Sequence, residues 1–314
     1  MSDTVERIAD ALLYEGYLLY PYRRSAVKNR QRFNFGVLYP EEHVAAAEPA
    51  SADRCFMQTE CLVSGSDATT LALKLRFLQL VESASAANGA APWQEAVERT
   101  VRLDYSLGEL LTETRRDVFA FLSGADDAAA VAAGSLNGEV ELSAGFSDGG
   151  TIRLRVRIIN RTSFPAAEAS RHDVLKRSLV SCHAILALSG GQFVSLLDPP
   201  GEFSAAVASC ENIGAWPVLV GEAGQRDTLL ASPIILYDYP TIAPESAGDL
   251  FDATEIDEIL SLRIMTLTEE EKREVRQTDE RARRLLDRTE SLTAEQLMQM
   301  HGVLRQPHLF EDRP

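Results

Sequence analysis

A formal charge of −16 over 314 residues, from 47 acidic against 31 basic side chains, disfavours whole-surface binding to nucleic acid or anionic lipid. A composition 45% hydrophobic and 25% charged is that of an ordinary globular protein, and no apolar run reaches the roughly 18 residues needed to span a bilayer. The acidic start, Met1 to Glu6, lacks the basic stretch and apolar core of a signal peptide, and four cysteines make no disulfide framework, so a cytoplasmic protein with reduced thiols is expected.

In chain order, residues 4–19 carry Val5, Ile8, Ala9, Leu12 and Leu13 at helical spacing, with Gly16 and Pro21 marking the end. An aromatic and basic loop follows over 20–35. Small-residue stretches at 44–53, 82–92 and 125–138 read as surface connections. Strands are predicted over 54–64 and 70–81, joined as a hairpin by Gly65-Ser66-Asp67-Ala68, then around Val101, Leu103 and Tyr105, and over 117–122. The clearest hairpin joins 139–144 to 151–160. There Ile152, Leu154, Val156 and Ile158 alternate with Arg153, Arg155 and Arg157, which puts the aliphatics in a core and the arginines at solvent, with Glu139 and Glu141 opposite them.

Leu175, Leu179, Cys182 and Leu186 recur at +4, +3 and +4, which predicts a helix over 168–188 ended by Gly190-Gly191. Short strands are predicted over 193–197, 216–220 and 234–237. From Asp249 the chain turns helical and charged, with capping-type patterns opening helices near 253–265, 269–287 and 294–303. The middle helix has few apolar positions (Val275, Ala282, Leu285, Leu286), so it either projects into solvent or lies against a partner. The expected fold is α+β: an N-terminal helix and basic loop (1–49), a mostly antiparallel β-rich region (50–165), a mixed region (166–248) and a charged helical tail (249–314).

Catalytic motifs are absent from the sequence. There is no Gly-x-Ser-x-Gly elbow, no Walker-type or Gly-x-Gly-x-x-Gly phosphate loop and no zinc-type cysteine spacing, so no cofactor is expected. An alternative reading gathers Cys182, His183 and Cys210 with the acidic loop 245–258 (Glu245, Asp249, Asp252, Glu255, Asp257, Glu258) into the site of a hydrolase or metal-dependent enzyme.

The basic loop stands out: Arg23, Arg24, Lys28, Arg30 and Arg32 with no acid between them, flanked by Tyr20, Tyr22, Phe33, Phe35 and Tyr39. Arginine and aromatic residues dominate interface hot spots. One reading docks this loop on an acidic protein surface, with Tyr22, Phe33 and Phe35 as apolar anchors. The other pairs the arginines with the chain's own acidic C-terminal helices. The segment 212–258, aromatic and proline-rich, is a second candidate surface, with Trp216 expected to be mostly buried and Tyr239 and Asp249 near a cleft or interface.

Long stretches carry a resemblance: Ser178-Leu179-Val180-Ser181-Cys182-His183-Ala184-Ile185-Leu186, Gly191-Gln192-Phe193-Val194-Ser195-Leu196-Leu197-Asp198-Pro199-Pro200, the runs 212–221 and 232–240, and most distinctively 243–260, with 14–40 at the N-terminal end. These resemble a bacterial protein family encoded beside uptake nickel–iron hydrogenase genes and their maturation factors. The resemblance implies an accessory or assembly role through protein–protein contact. The partner would be a hydrogenase subunit, a maturation factor or a second copy of the chain, with neither nucleic acid nor membrane as partner. It implies no reaction, because the family has no assigned one.

Overall fold

The computed structural model describes residues 3–48, 50–82, 94–121, 135–164, 170–243, 246, 248, 250–251 and 257–300, with the side chains of Arg30 and Gln31 outside that set. The chain is α+β, with strands concentrated before residue 233 and helices at the C-terminal end. It divides into two units. One comprises 1–14 and 33–241, the other 15–32 and 242–314.

The first unit is built on two antiparallel five-stranded sheets. Strands β1 (Phe56–Ser64), β4 (Arg115–Phe121), β5 (Leu136–Phe146), β6 (Ile152–Asn160) and β8 (Gln192–Phe193) form one sheet in the order β4-β5-β6-β1-β8. Strands β2 (Thr70–Glu82), β3 (Gln94–Ser106), β7 (Val180–Ser189), β9 (Trp216–Leu219) and β10 (Thr228–Ser232) form the other in the order β3-β2-β7-β10-β9. Side chains from both sheets, among them Cys61, Leu154, Val156, Leu73, Phe77, Cys182 and Leu186, share one core. Short helices α2 (Glu41–Ala46), α3 (Leu107–Thr112), α4 (Arg171–Leu175) and α5 (Ser204–Ala208) lie in the connections.

The β5–β6 hairpin forms as its alternation requires, with Glu141 opposite Arg157 and Val140 opposite Ile158. Its glutamates serve other arginines: Arg116 lies 2.9 Å from Glu141 and Arg161 3.4 Å from Glu139. Arg155 is met by Glu60 of β1 at 2.7 Å, a carboxylate only 2% exposed. In the same sheet, Phe119 of β4 lies across Gly138 of β5. A Cβ at Gly138 would sit 2.1 Å from the Phe119 ring, so the position accepts only a hydrogen.

Three predicted elements are corrected. The turn 65–68 is not a hairpin. β1 pairs with β6 and β8, β2 pairs with β3 and β7, and the turn carries the chain from one sheet to the other. The predicted helix 168–188 is the single turn α4 followed by strand β7. Buried on both faces, β7 reads as one continuous apolar run, and such a run has no periodicity that separates strand from helix. Ile234–Tyr237 forms no strand, while β10, which went unpredicted, lies just before it.

Helix α1 (Asp3–Leu13) buries Val5, Ile8, Ala9 and Leu13. Its acids meet β2: Glu6 lies 2.7 Å from Lys74, and Asp10 lies 2.5 Å from the buried Arg76, which also holds Glu98 of β3 at 2.8 Å.

The second unit contains the loop 15–32 and helices α6 (Asp257–Met265), α7 (Glu269–Thr278), α8 (Glu280–Glu290) and α9 (Ala294–Met300). The predicted helix 269–287 is interrupted at Asp279, whose extended backbone ends α7 and whose carboxylate accepts from the N–H of Ala282 at 2.8 Å to cap α8. Val275, Ala282, Leu285 and Leu286 are all buried, together with Tyr17, Leu18 and Tyr22 of the loop.

Candidate interaction surfaces

The basic loop resolves into an internal scaffold. Tyr22, at a positive φ of 61°, is fully buried and donates its hydroxyl to the carbonyl of Leu250 at 2.7 Å. Arg24 donates from Nε (3.2 Å) and Nη2 (2.5 Å) to the carbonyl of Thr278, the last residue of α7. Arg23 lies 3.1 Å from Glu271. The backbone N–H of Ser25 donates to Glu274 at 3.1 Å. Arg32, 5% exposed, donates to the carbonyl of Tyr17, whose hydroxyl donates to Asp279 at 3.0 Å. Burial pulls the Arg32 guanidinium down to about 10, partly offset by Tyr17 and Asp279, and burial pushes the Tyr17 phenol up.

Of the two readings of this loop, the structure shows the internal one for Arg23, paired with Glu271 of α7, and for Arg24, on the carbonyl that ends α7. The expected apolar anchors are corrected: Tyr22 is buried in the second unit, and Phe33, 3% exposed, is buried in the first. Phe35 is half-buried and its carbonyl accepts from the N–H of Ser181. Lys28 is exposed beside Val27, and the side chain of Arg30 lies outside the described residues.

The second candidate surface is a rim at the β9 edge of the first unit. Contrary to expectation, Trp216 is 44% exposed. It opens a four-residue edge strand, opposite Ser232, and is followed by Pro217, whose lack of an N–H suits an edge. Beyond β10 the chain turns back along this edge. Asp238 ties it down: its carboxylate accepts from the N–H of Leu219 at 2.8 Å and from the hydroxyl of Ser195 at 2.6 Å. Tyr239, held at a positive φ of 56°, donates its N–H to the carbonyl of Leu219 and its hydroxyl to that of Gln225.

Both backbone groups of Leu219 are thereby satisfied, which closes the sheet edge at that residue. The closing segment carries Ile235 and Tyr237 outward at 70% and 87% exposure. β9 rises only about 10 Å along its length, so the segment from Ser232, opposite Trp216, to Asp238, at Leu219, carries Ile235 and Tyr237 past a short stretch of this edge. The sequence reading found Trp216 but took 234–237 for a strand. The signal against it was the bracketing pair Pro233 and Pro240, which cannot donate to a ladder. Asp249 lies outside the described residues.

Among the described residues, Cys182, His183 and Cys210 of the alternative enzyme site do not form one cluster. Cys182 and His183 are neighbours on β7 and point to opposite faces, Cys182 into the core between the sheets and His183 beside Arg76. Cys210 sits after α5 against Ala206. Burial raises the thiols of Cys61 and Cys182, which makes them inert as nucleophiles. Among the described residues no three His, Cys, Asp or Glu side chains are placed to hold a metal ion. Glu245, Asp249, Asp252 and Glu255 lie outside the described residues, Asp257 accepts from the hydroxyl of Ser246 at 2.5 Å, and Glu258 has its own interactions. A polar cavity of about 400 Å³ beside the arginine ladder is lined by Arg153 and Arg155 but also by Glu60 and Asp148, so its charges balance and it is no anion trap. All four cysteines are free, and no described helix is long and apolar enough to cross a membrane.

No protein-family model and no curated protein matches the chain.

Proposed function

We propose that this protein is a cytoplasmic accessory or scaffold for the assembly of a nickel–iron hydrogenase, acting by protein–protein contact through the rim of Trp216, Ile235 and Tyr237. The observation that carries the contact is that rim: exposed aromatic and aliphatic side chains on backbone fixed by Asp238 and Tyr239, an arrangement in which large side chains can be buried by a partner without first being ordered. The hydrogenase assignment rests on the sequence resemblance, whose runs 212–221 and 232–240 include all three side chains. In a reducing cytoplasm four free thiols are unremarkable.

The test is co-expression of the tagged chain with the large and small hydrogenase subunits and the maturation factors encoded beside them, followed by capture and identification. One of these proteins should copurify with the wild type and be lost from the Trp216→Ala, Tyr237→Ala double variant, with hydrogenase activity falling in cells carrying only that variant. Such exposed side chains leave folding within about 0.5 kcal/mol, so the thermal midpoint should hold. Normal hydrogenase activity in cells lacking the chain altogether would end the assignment.

A further inference from the structure

Among the described residues, the other edge of the same sheet is unpaired. β3 runs for 13 residues at the margin of the order β3-β2-β7-β10-β9, about 40 Å of strand. It bonds to β2 along its whole length. Among the described residues no backbone group other than those of β2 bonds to the stretch 96–104. Protein edges are commonly guarded by shortness, proline, lysine or a covering loop. β3 is long and contains neither Pro, Gly nor Lys. Its odd-numbered residues Val101, Leu103 and Tyr105 pack on the core, while Glu98, Arg102 and Asp104 stand exposed on the other face. Arg102 makes no ion pair among the described residues.

We propose that β3 pairs antiparallel with β3 of a second copy of this chain, about a twofold axis at Thr100, joining the two sheets into one. The argument is charge complementarity in register. A twofold perpendicular to the sheet must place each face against the same face, so it passes through a residue. Centred on Thr100, Glu98 of each copy meets Arg102 of the other, Val97 meets Leu103, Ala96 meets Asp104, Arg99 meets Val101 and Thr100 meets itself.

Each register within two residues of this one sets like charges opposite. Centring on Glu98, Arg99 or Arg102 places that residue against its own copy, and centring on Val101 places Glu98 against Asp104 at two positions. Opposite charges directly across a strand pair stabilise it and like charges oppose it. Centring on Val97 or Leu103 also sets opposite charges across, Glu95 against Arg99 or Arg102 against Asp104, but overlaps only 94–100 or 100–106, so Thr100 is the charge-matched register that uses the whole strand. The β9 strand at the opposite edge is only four residues long, contains Pro217 and is covered at Leu219 by Asp238 and Tyr239.

The test is the solution mass of the full chain by light scattering, with the dissociation constant from sedimentation. The wild type should be a dimer. Arg102→Glu should weaken association at least about tenfold, or about 1.4 kcal/mol, and Glu98→Arg should do the same. Mixing these two variants should restore association as a heterodimer, because one chain then presents only cations and the other only anions at 98 and 102. Glu98 also holds Arg76, so Glu98→Arg risks misfolding. Thr100→Cys gives an independent reading. Copper–phenanthroline oxidation should link two copies through that position, and Ala96→Cys should not self-link.

A monomeric wild type overturns the proposal. So does a dimer unaffected by Arg102→Glu and not linked by Thr100→Cys, which would move the interface to another face such as the Trp216 rim.

Discussion

His183 shows how much one buried side chain can ask of its surroundings. It is fully buried on β7 opposite Arg76, and its Nδ1 lies 3.0 Å from the carbonyl of Ser181, so Nδ1 carries the proton and Nε2 is a bare acceptor. That Nε2 has no hydrogen-bond partner among the described residues. Burial pulls the imidazole from 6.5 to about 4, with the charge of Arg76 adding to the fall and the Ser181 bond resisting it. The unfolded chain takes up a proton near pH 6.5 that the folded chain refuses until about pH 4. Stability is therefore full above pH 6.5 and falls as the pH drops toward 4, by an amount on the order of 3 kcal/mol from this residue. His183→Gln, whose amide can still donate to Ser181, should flatten that part of the stability–pH curve, measured by urea denaturation at half-unit steps. An unchanged slope would mean that the carboxylates alone set the acid limit.

At the scale of elements, the loop 15–32 is held by helix ends. The carbonyls of the last helical turn lack partners within the helix and carry partial negative charge, and Arg24 supplies a doubly donating guanidinium to the final carbonyl of α7. Arg24→Ala should cost about 1–3 kcal/mol, read as a lower urea midpoint. Lys28→Glu, on an exposed side chain of the same loop, should stay within about 0.5 kcal/mol. Equal effects would show that local charge rather than the helix end matters.

The pairing of these arginines was half legible in the sequence. The cations in ten residues without an acid, inside a chain of charge −16, need acceptors, but sequence order does not say whether those acceptors belong to the chain or to a partner, or that a backbone carbonyl serves Arg24. The β5–β6 hairpin was legible because one face meets the core and one meets solvent, which imposes a period of two. β7 was not, because both its faces are buried and the period disappears. The connection between β1 and β2 was misread for a related reason: a four-residue turn can close a hairpin or carry the chain between sheets, and only long-range pairing decides. Trp216 and Tyr237 were visible as residues, but their exposure follows from the path of the chain after β10, which long-range bonds such as Asp238 to Leu219 fix.

At the scale of the molecule, each unit is assembled from separated pieces of chain. The first takes α1 from the N-terminal end and the second takes the loop that follows it, while the remainder of the second comes only after Thr241. A chain cut after Thr241 keeps both sheets but loses the partners that residues 15–32 have beyond Thr241, including Leu250, Glu271, Thr278 and Asp279. Such a fragment should retain its sheet signal in far-ultraviolet circular dichroism and become cleavable by protease within 15–32. Equal protection of that segment in the fragment and in the full chain would contradict the division.

On the ribosome this separation becomes a delay. At about 5–20 residues per second, roughly 10–40 seconds of translation pass between the emergence of Arg32 and that of Ile242. For that interval Tyr17, Leu18 and Tyr22 stand on a nascent chain whose sheets are already closing. A stalled or prematurely terminated product would carry a finished β-structure and an uncovered aromatic segment, the kind of surface by which chaperones and quality-control proteases distinguish an incomplete chain from a complete one.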